Sequence, residues 1–118
     1  MNLSDAELAV IRDWAGRTPR IWEVRLFGSR AKGTARADSD VDLALTVKGT
    51  TKQDAYTTYF FNVEGWRSAL SEGLKLTADI HLYDERHSPK VFGFVVEHGL
   101  LIWSRAGSMD DPDRSGAR

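Results

Sequence analysis

The sequence has no cysteine among its 118 residues. This absence excludes a disulfide framework, a thiolate nucleophile and a zinc-thiolate site. Any bound metal must therefore be held by oxygen or histidine ligands. A chain without cysteine also fits a reducing compartment, and we expect a cytoplasmic protein.

Long apolar runs and an excess of one charge are missing too. No segment is apolar enough to cross a bilayer, and the first residues lack the basic region and apolar run of a signal peptide. The formal net charge is −1 with both signs interspersed, so the chain lacks the basic footprint of a protein that binds long nucleic acid. We therefore expect neither a membrane nor long DNA or RNA as a partner, whereas one small nucleotide is compatible with this charge.

The length of the chain is suited to a single domain, which we place at residues 1–105. A chain of this size buries somewhat more than about 60% of its unfolded surface, so it needs no crosslinks to fold. Residues 106–118 show no apolar periodicity, and we predict a disordered tail there.

Hydrophobic periodicity predicts two long helices and one short helical turn in the first two thirds of the chain. Ser4 and Glu7 have the spacing of a capping box in front of the first helix. Residues 29–34 are predicted to form a helical turn. A long helix is predicted from Thr50 or Thr51 to about residue 73, with Gly65 as a point where it could divide.

A last helix is predicted between Ser88 and Gly99. Ser88 followed by Pro89 has the order of a helix cap and first helical residue, and Gly99 is typical of a helix stop. Phe92, Val95 and Val96 are assigned to its apolar side.

Alternation of apolar and polar residues predicts three strands and a short fourth strand, at residues 21–27, 41–47, 76–83 and 100–103. In the first strand, Trp22, Val24 and Leu26 are assigned to the buried side. In the third strand, Asp79 and His81 fall on the polar face. His81 is on the same face as Asp79 but is left out of the predicted catalytic set.

Asp40 and Asp42 stand two residues apart at the start of the second strand, so their side chains are expected on one face while Val41 occupies the buried face. Two neighbouring carboxylates repel each other, and a hard cation such as Mg²⁺ relieves that repulsion. Asp79 adds a third acid. Three carboxylates on one sheet face are typical of a two-metal phosphoryl-transfer site, although a solvated strand end is the simpler alternative.

Gly28, Ser29 and Arg30 are the predicted phosphate-binding residues. Glycine allows close approach of the backbone, and the amides of a helical turn and the Ser29 hydroxyl are suited to phosphate oxygens. Arg30 would add positive charge. The alternative for Arg30 is a structural ion pair with Asp38 or Asp40.

Gly28-Ser29, ten further residues and Asp40-Val41-Asp42 resemble the signature of the polymerase-beta-like nucleotidyltransferase superfamily, and the string GSRAKGTARADSDVDLAL resembles its minimal nucleotidyltransferase (MNT) branch. The resemblance implies an α/β (α+β) fold: a small mixed sheet of three to five strands with helices on one face and the active site on the other. It also implies that Asp40 and Asp42 bind two Mg²⁺ ions, that Asp79 is a metal ligand or the general base, and that Gly28 and Ser29 hold the triphosphate of ATP.

The resemblance further implies an activity and a partner. The expected activity is Mg²⁺-dependent transfer of AMP from ATP to a hydroxyl, as in a protein adenylyltransferase. MNT proteins that stand alone are often antitoxins paired with an all-helical HEPN toxin, which is the expected partner in a hetero-oligomer. The alternatives are transfer to an antibiotic-like small molecule and a non-catalytic antitoxin that acts by binding. A polymerase or tailing enzyme is disfavoured by the near-neutral charge.

Overall fold

The computed structural model describes residues 1–105, whose sheet contains four strands in the order β3-β2-β1-β4. The elements along the chain are α1 Asp5–Arg17, β1 Ile21–Phe27, α2 Ser29–Lys32, β2 Val41–Val47, α3 Lys52–Leu74, β3 Ala78–Leu82, α4 Pro89–His98 and β4 Leu100–Ser104. β1 pairs antiparallel with β2 and β4, while β2 and β3 are parallel and joined through α3. The predicted small mixed α/β sheet is confirmed. The predicted tail at residues 106–118 lies outside the described residues.

The capping box in front of α1 is confirmed. The Ser4 hydroxyl accepts a hydrogen bond from the Glu7 N–H at 3.0 Å, and the Glu7 carboxylate accepts one from the Ser4 N–H at 2.9 Å. Two of the free amide donors at the helix start are satisfied in this way. The helix is thus anchored at residue 5, which sets the position of its apolar stripe.

The main core lies between one face of the sheet and the helices α1 and α3. β2 contributes the face that alternation predicted, and its side chains there are almost fully buried: Val41, Leu43, Leu45 and Val47. α1 covers them with Ile11, Trp14 and Ala15, and α3 with Leu70 and Leu74. Because this apolar face is fixed against the helices, Asp42 is left on the opposite face of the sheet.

The predicted burial of Trp22 is wrong. A bulge between Ile21 and Glu23 inserts one residue into the β1–β2 ladder, so Ile21 is the fully buried residue at this end of β1. Trp22 is only half-buried, with the ammonium group of Lys48 5.1 Å from its ring centre. Simple alternation fails here because a bulge moves the side chains before it to the other face.

α3 runs without interruption through Gly65, which therefore does not divide the helix. Its N-cap is Thr51, whose hydroxyl accepts from the Asp54 N–H at 3.0 Å, and its C-cap is Lys75 in a left-handed conformation. This is the longest helix of the fold. Within residues 1–105, none of the helices has the length and apolar character needed to cross a membrane.

α4 packs on the second face of the sheet, the face that carries Asp42. Val95 is buried there against Phe27 and Ala44. Val96, which was predicted on the same apolar side, is 68% exposed. Val95 and Val96 are consecutive and therefore about 100° apart around a helix, so a single narrow contact with the sheet takes only one of them.

Candidate active site

Asp42 on β2 and Asp79 on β3 lie side by side on the second face of the sheet. The two strands are parallel and Asp42 is paired in register with Asp79, so both side chains project from the same face. The two carboxyl groups are close enough for the charge of Asp79 to raise the pKa of the Asp42 carboxyl. The structure thus brings together two of the three predicted acids.

The electrostatic environment disfavours the charged form of Asp42. Partial burial, followed by the negative charges of Asp79 and Asp40, raises the pKa of the Asp42 carboxyl from 3.8 to about 6, although the nearby His81 opposes this shift. A cation that enters the site would stabilise the charged form of the Asp42 carboxyl.

Asp40 is exposed on the loop directly before β2 and acts on Asp42 through its charge. Within residues 1–105, no group of three or more His, Asp or Glu side chains is arranged to hold a metal ion. The expected convergence of Asp40, Asp42 and Asp79 is therefore not found as a preformed cluster. The structure contains the Asp42–Asp79 pair with a third acid at the entrance to β2.

Gly28 lies next to this pair because Phe27, the last residue of β1, pairs with Asp42 across the antiparallel ladder. Its backbone has φ 78° and ψ −158°, a conformation that is open essentially to glycine alone. A Cβ atom built on Gly28 would lie 2.2 Å from Asp42 Oδ2. Because glycine has no Cβ atom, the Asp42 carboxylate can occupy this space.

Ser29 begins α2, the predicted helical turn directly after Gly28. The turn is closed by Gly33, whose N–H donates to the Ser29 carbonyl and whose φ of 79° is left-handed. This short connection places Ser29 within one residue of the glycine that contacts Asp42. Gly28 and Ser29, two of the three predicted phosphate-binding residues, thus lie at the same end of the sheet as the acid pair.

The structure places Arg30 differently from the predicted phosphate contact. Its side chain is buried, with only 5% of the residue exposed, and its guanidinium donates to the carbonyl oxygens of Asn2 at 2.8 Å, Ala37 at 3.1 Å and Ser39 at 2.8 Å. Neither Asp38 nor Asp40 is its partner in these hydrogen bonds. Arg30 ties the loop before β2 to the N-terminal segment, and it therefore positions the chain that leads to Asp40.

Asn2 makes further hydrogen bonds to this region, which the sequence did not predict. Its N–H donates to the Arg30 carbonyl at 2.7 Å, and its side-chain oxygen accepts from the Ala35 N–H at 3.1 Å. These contacts join residues about 30 positions apart. No local pattern around Asn2 signals them.

His81 follows Asp79 on β3, on the same face. Its Nε2 atom is 3.3 Å from Asp79 Oδ1, and its ring meets the Phe27 ring edge-on at 5.9 Å between centres. Alternation predicted the shared face correctly. The contact with Phe27 depends on the pairing of β1 with β2, which local pattern alone does not specify.

His98, the last residue of α4, is a second residue that the sequence analysis missed. Its Nε2 atom accepts a hydrogen bond from the Gly28 N–H at 2.9 Å. Seventy positions separate the two residues, and no local signal in the sequence links them. Because the Gly28 N–H is already donated to His98, the backbone amides predicted to bind phosphate are those of the residues that follow Gly28.

The donor set at Asp42 and Asp79 fits a hard divalent cation. Mg²⁺ commonly takes one or two protein carboxylates and completes its coordination with water and substrate phosphates. Two adjacent carboxyl groups meet this requirement, and the space left by Gly28 keeps the Asp42 carboxylate unobstructed. Asp42 and Asp79 are the residues that would hold Mg²⁺, and Asp40 is the third carboxylate within electrostatic range.

The acid pair lies away from a cavity of about 520 Å³ at the other end of β2 and β3. That cavity is bordered by Thr46 and Tyr83, each four residues beyond an acid of the pair, together with Lys52 of α3 and Phe92 of α4. Four residues of strand correspond to roughly 13 Å. The acids therefore do not border this cavity.

Comparison with known protein families connects this geometry to a known group. The family described as the nucleotidyltransferase domain matches residues 9–102, which include β1, the Gly28 turn and all three acids. The chain belongs to the nucleotidyltransferase domain family. As a nucleotidyltransferase, it carries Gly28-Ser29 and Asp40-Val41-Asp42 in the part that the family covers. A search of curated proteins returned no significant match.

Solved structures similar to this nucleotidyltransferase include chains from toxin–antitoxin pairs. A toxin–antitoxin crystal structure with AMP-PNP contains a chain with 25% identity and a TM-score of 0.57, aligned over 86% of this chain and 76% of that one. A tyrosine-to-alanine mutant of the toxin–antitoxin MntA-HpeT has 25% identity and a TM-score of 0.56, over 91% and 77% of the two chains. A further MntA-HpeT mutant has two aspartates, two positions apart, changed to glutamate; at 23% identity, a TM-score of 0.56 and coverages of 86% and 76%, it supports the fold alone.

Proposed function

We propose that this nucleotidyltransferase is the antitoxin of a toxin–antitoxin pair and transfers AMP from ATP to a hydroxyl of its toxin in the presence of Mg²⁺. The observation that carries the proposal is the strand register that places Asp42 beside Asp79 and beside Gly28. The similarity to a toxin–antitoxin structure with AMP-PNP supports both the nucleotide and the role.

In this proposal one group of residues holds the metal and another binds the phosphates of the nucleotide. Asp42 and Asp79 hold the metal, and Asp40 adds negative charge that favours its entry. Gly28 and Ser29 lie where the phosphates beyond the transferred group would rest. Bound Mg²⁺ would supply positive charge that offsets the charge developing on the phosphates during transfer.

The proposed reaction forms a bond between the acceptor oxygen and the α-phosphorus of ATP and breaks the bond from the α-phosphorus to the oxygen that bridges to the β-phosphorus. Pyrophosphate leaves with that bridging oxygen. The acceptor hydroxyl loses its proton, which Asp79 is placed to receive as an ionised carboxylate at the exposed edge of the pair. His81, 3.3 Å from Asp79, is placed to hold that carboxylate in a fixed orientation.

The acceptor in this proposal is a tyrosine hydroxyl of a HEPN-family toxin, and the site of action is the cytoplasm, where ATP is available. The Asp79 side chain is 44% exposed and the acid pair lies outside the 520 Å³ cavity, which suits a hydroxyl presented by another protein. The tyrosine-to-alanine form of MntA-HpeT supports a tyrosine as a residue of interest in the related complex.

The experiment that tests this proposal uses ATP labelled at the α-phosphorus or, in parallel, at the γ-phosphorus. The chain is co-expressed with its toxin, and the purified complex is incubated with Mg²⁺ and each label. We expect the α label, but not the γ label, on the toxin band, and we expect Asp42→Asn to abolish it. Transfer of the γ label would contradict nucleotidyl transfer, since that label leaves with pyrophosphate.

Two other outcomes correspond to the alternative functions. Label found only on small molecules of the extract would indicate a small-molecule nucleotidyltransferase. Neutralisation of the toxin that persists in the Asp42→Asn variant, without label on the toxin, would indicate an antitoxin that acts by binding. Either result overturns the proposal.

A further inference from the structure

We infer that His98 is a positioning residue of the nucleotide site. It acts through the hydrogen bond from the Gly28 N–H to its Nε2 atom, which is 2.9 Å long. The inference rests on the proposed function, because it assigns His98 a part in holding the turn that would bind the nucleotide.

The hydrogen bond specifies the state of the imidazole ring. Nε2 accepts the hydrogen bond here, so it carries no hydrogen itself, and the hydrogen of the neutral ring must be on Nδ1. The Glu97 carboxylate lies 3.6 Å from Nδ1, on the side where it favours this tautomer. Glu97 is largely exposed and so contributes weakly, whereas only 16% of the His98 side chain is exposed.

The bond acts on a residue whose conformation is demanding. Gly28 has φ 78° and ψ −158°, and the Asp42 carboxylate fills the space on the side where other residues carry Cβ. A glycine gains much backbone freedom when nothing holds it, so a rotation of its peptide plane would be inexpensive. The hydrogen bond to His98 opposes that rotation and keeps Gly28 beside Asp42.

α4 holds His98 in place for this contact. Val95, three residues earlier and therefore on a neighbouring part of the helix surface, is buried against Phe27 and Ala44. Phe27 is the residue directly before Gly28. The same helix thus packs on the end of β1 and bonds to the turn that follows it.

The test compares His98→Gln with His98→Leu in the full chain. The Gln side-chain oxygen can reach the position of Nε2 and accept from Gly28, whereas Leu has similar bulk and no acceptor. The probe is Mg²⁺ with an ATP analogue that has a methylene group between the α- and β-phosphorus, so that it binds without being transferred. We expect His98→Leu to weaken its affinity by roughly threefold to tenfold, as for the loss of one neutral hydrogen bond, and His98→Gln to stay within about twofold of the wild type.

A second measurement needs no nucleotide. In protein labelled with ¹⁵N, a coupling across the hydrogen bond should link the Gly28 amide nitrogen to the His98 ring nitrogen in the wild type and disappear in both variants. The Gly28 amide proton should remain at a hydrogen-bonded chemical shift in His98→Gln and move in His98→Leu. Absence of the coupling in the wild type would overturn the inference.

The outcomes separate this inference from the proposed function. If the wild type fails to bind the analogue, the proposed function fails at that step, while the coupling still decides whether the hydrogen bond exists. If the wild type binds and the two variants bind with equal affinity, the positioning role of His98 is refuted. A folding defect in His98→Leu would be visible as a lowered melting temperature. In that case the coupling in the wild type, together with the Gly28 amide shift and the analogue affinity of His98→Gln, would test the inference.

Discussion

At the scale of single residues, the candidate site depends on one glycine that leaves room for one carboxylate. Gly28 and Gly33 both have left-handed φ values, 78° and 79°, but only Gly28 has a neighbour at the position of a Cβ atom. The two glycines therefore separate backbone strain from loss of space at the Asp42 carboxylate.

Substitution of these glycines by alanine tests that difference. We expect Gly33→Ala to lower the free energy of unfolding by about 1 kcal/mol, the cost of a left-handed alanine. Gly28→Ala adds a contact of 2.2 Å with Asp42 Oδ2 and should cost about 2–5 kcal/mol and displace the Asp42 side chain. Denaturant unfolding measures both values, and equal losses would contradict the close packing at Gly28.

Arg30 is expected to act through structure and not through charge. Because its buried guanidinium donates to several carbonyl oxygens, both Arg30→Met and Arg30→Lys should lower the free energy of unfolding by about 2–4 kcal/mol. The exposed Lys32→Met is the control and should stay within about 0.5 kcal/mol. If Arg30→Lys kept the wild-type stability and only Arg30→Met lost nucleotide affinity, a direct phosphate contact would be the better explanation.

The Asp42 carboxyl makes the metal-free protein sensitive to pH. Its pKa is raised from 3.8 to about 6 by burial and by the charges of Asp79 and Asp40, so the folded state binds more protons than the unfolded state between these values. Its contribution to stability is thus present at low pH and lost as the pH rises through about 6.

Asp42→Asn removes this charge and should eliminate AMP transfer while increasing the stability of the metal-free protein above pH 6 relative to the wild type. At about pH 4 the two proteins should converge, because the wild-type carboxyl is then largely protonated. Thermal unfolding in the presence of a chelator, carried out at several pH values, measures the difference in stability between the two proteins. A variant that is less stable than the wild type at every pH would contradict the crowding of the acids.

At the scale of elements, alternation and capping signals predicted most of what the structure contains. Val41, Leu43 and Leu45 are buried as expected because β2 has no bulge, and the Ser4–Glu7 capping box forms because its partners are only three residues apart. Trp22 differs because the bulge in β1 depends on pairing with β2. His98 and Asn2 were missed because their contacts join distant parts of the chain.

Two adjacent valines on α4 test how this helix is attached. Val95 is buried against Phe27 and Ala44, so Val95→Ala should lower the free energy of unfolding by about 1–2 kcal/mol. Val96 is 68% exposed, and Val96→Ala should change it by less than about 0.5 kcal/mol. Denaturant unfolding of both variants measures this difference, and a larger loss for Val96→Ala would mean that the packed side of α4 is assigned incorrectly.

At the scale of the whole molecule, the sheet order β3-β2-β1-β4 turns three separate sequence features into one site. Spacing placed Asp40 and Asp42 on one strand, and alternation placed Asp79 on the open face, but neither specified that β3 is parallel to β2 in a register that pairs Asp42 with Asp79. The pairing of Phe27 with Asp42 brings the Gly28 turn to the same place. The resemblance to nucleotidyltransferases led to the correct family because the signature of that family already combines the glycine turn and the acids in one site.

Asp40 lies directly before β2, where the sequence placed it, but the three acids are not arranged as a metal-binding cluster in residues 1–105. Its exposed place before β2 leaves the Asp42–Asp79 pair as the centre of the site. We therefore expect nucleotide binding to depend most strongly on that pair and less strongly on Asp40, which acts through its charge.

The most direct test is a calorimetric titration with Mg²⁺ and the α,β-methylene analogue of ATP, carried out on the wild type, Asp40→Asn, Asp42→Asn and Asp79→Asn. We expect Mg²⁺-dependent binding by the wild type, a loss of affinity of about tenfold or more for Asp42→Asn and for Asp79→Asn, and a smaller loss for Asp40→Asn. Binding of the analogue that is independent of Mg²⁺, or equal in the wild type and in the Asp42→Asn and Asp79→Asn variants, would contradict the claim that these two carboxylates form the centre of a nucleotidyltransferase site.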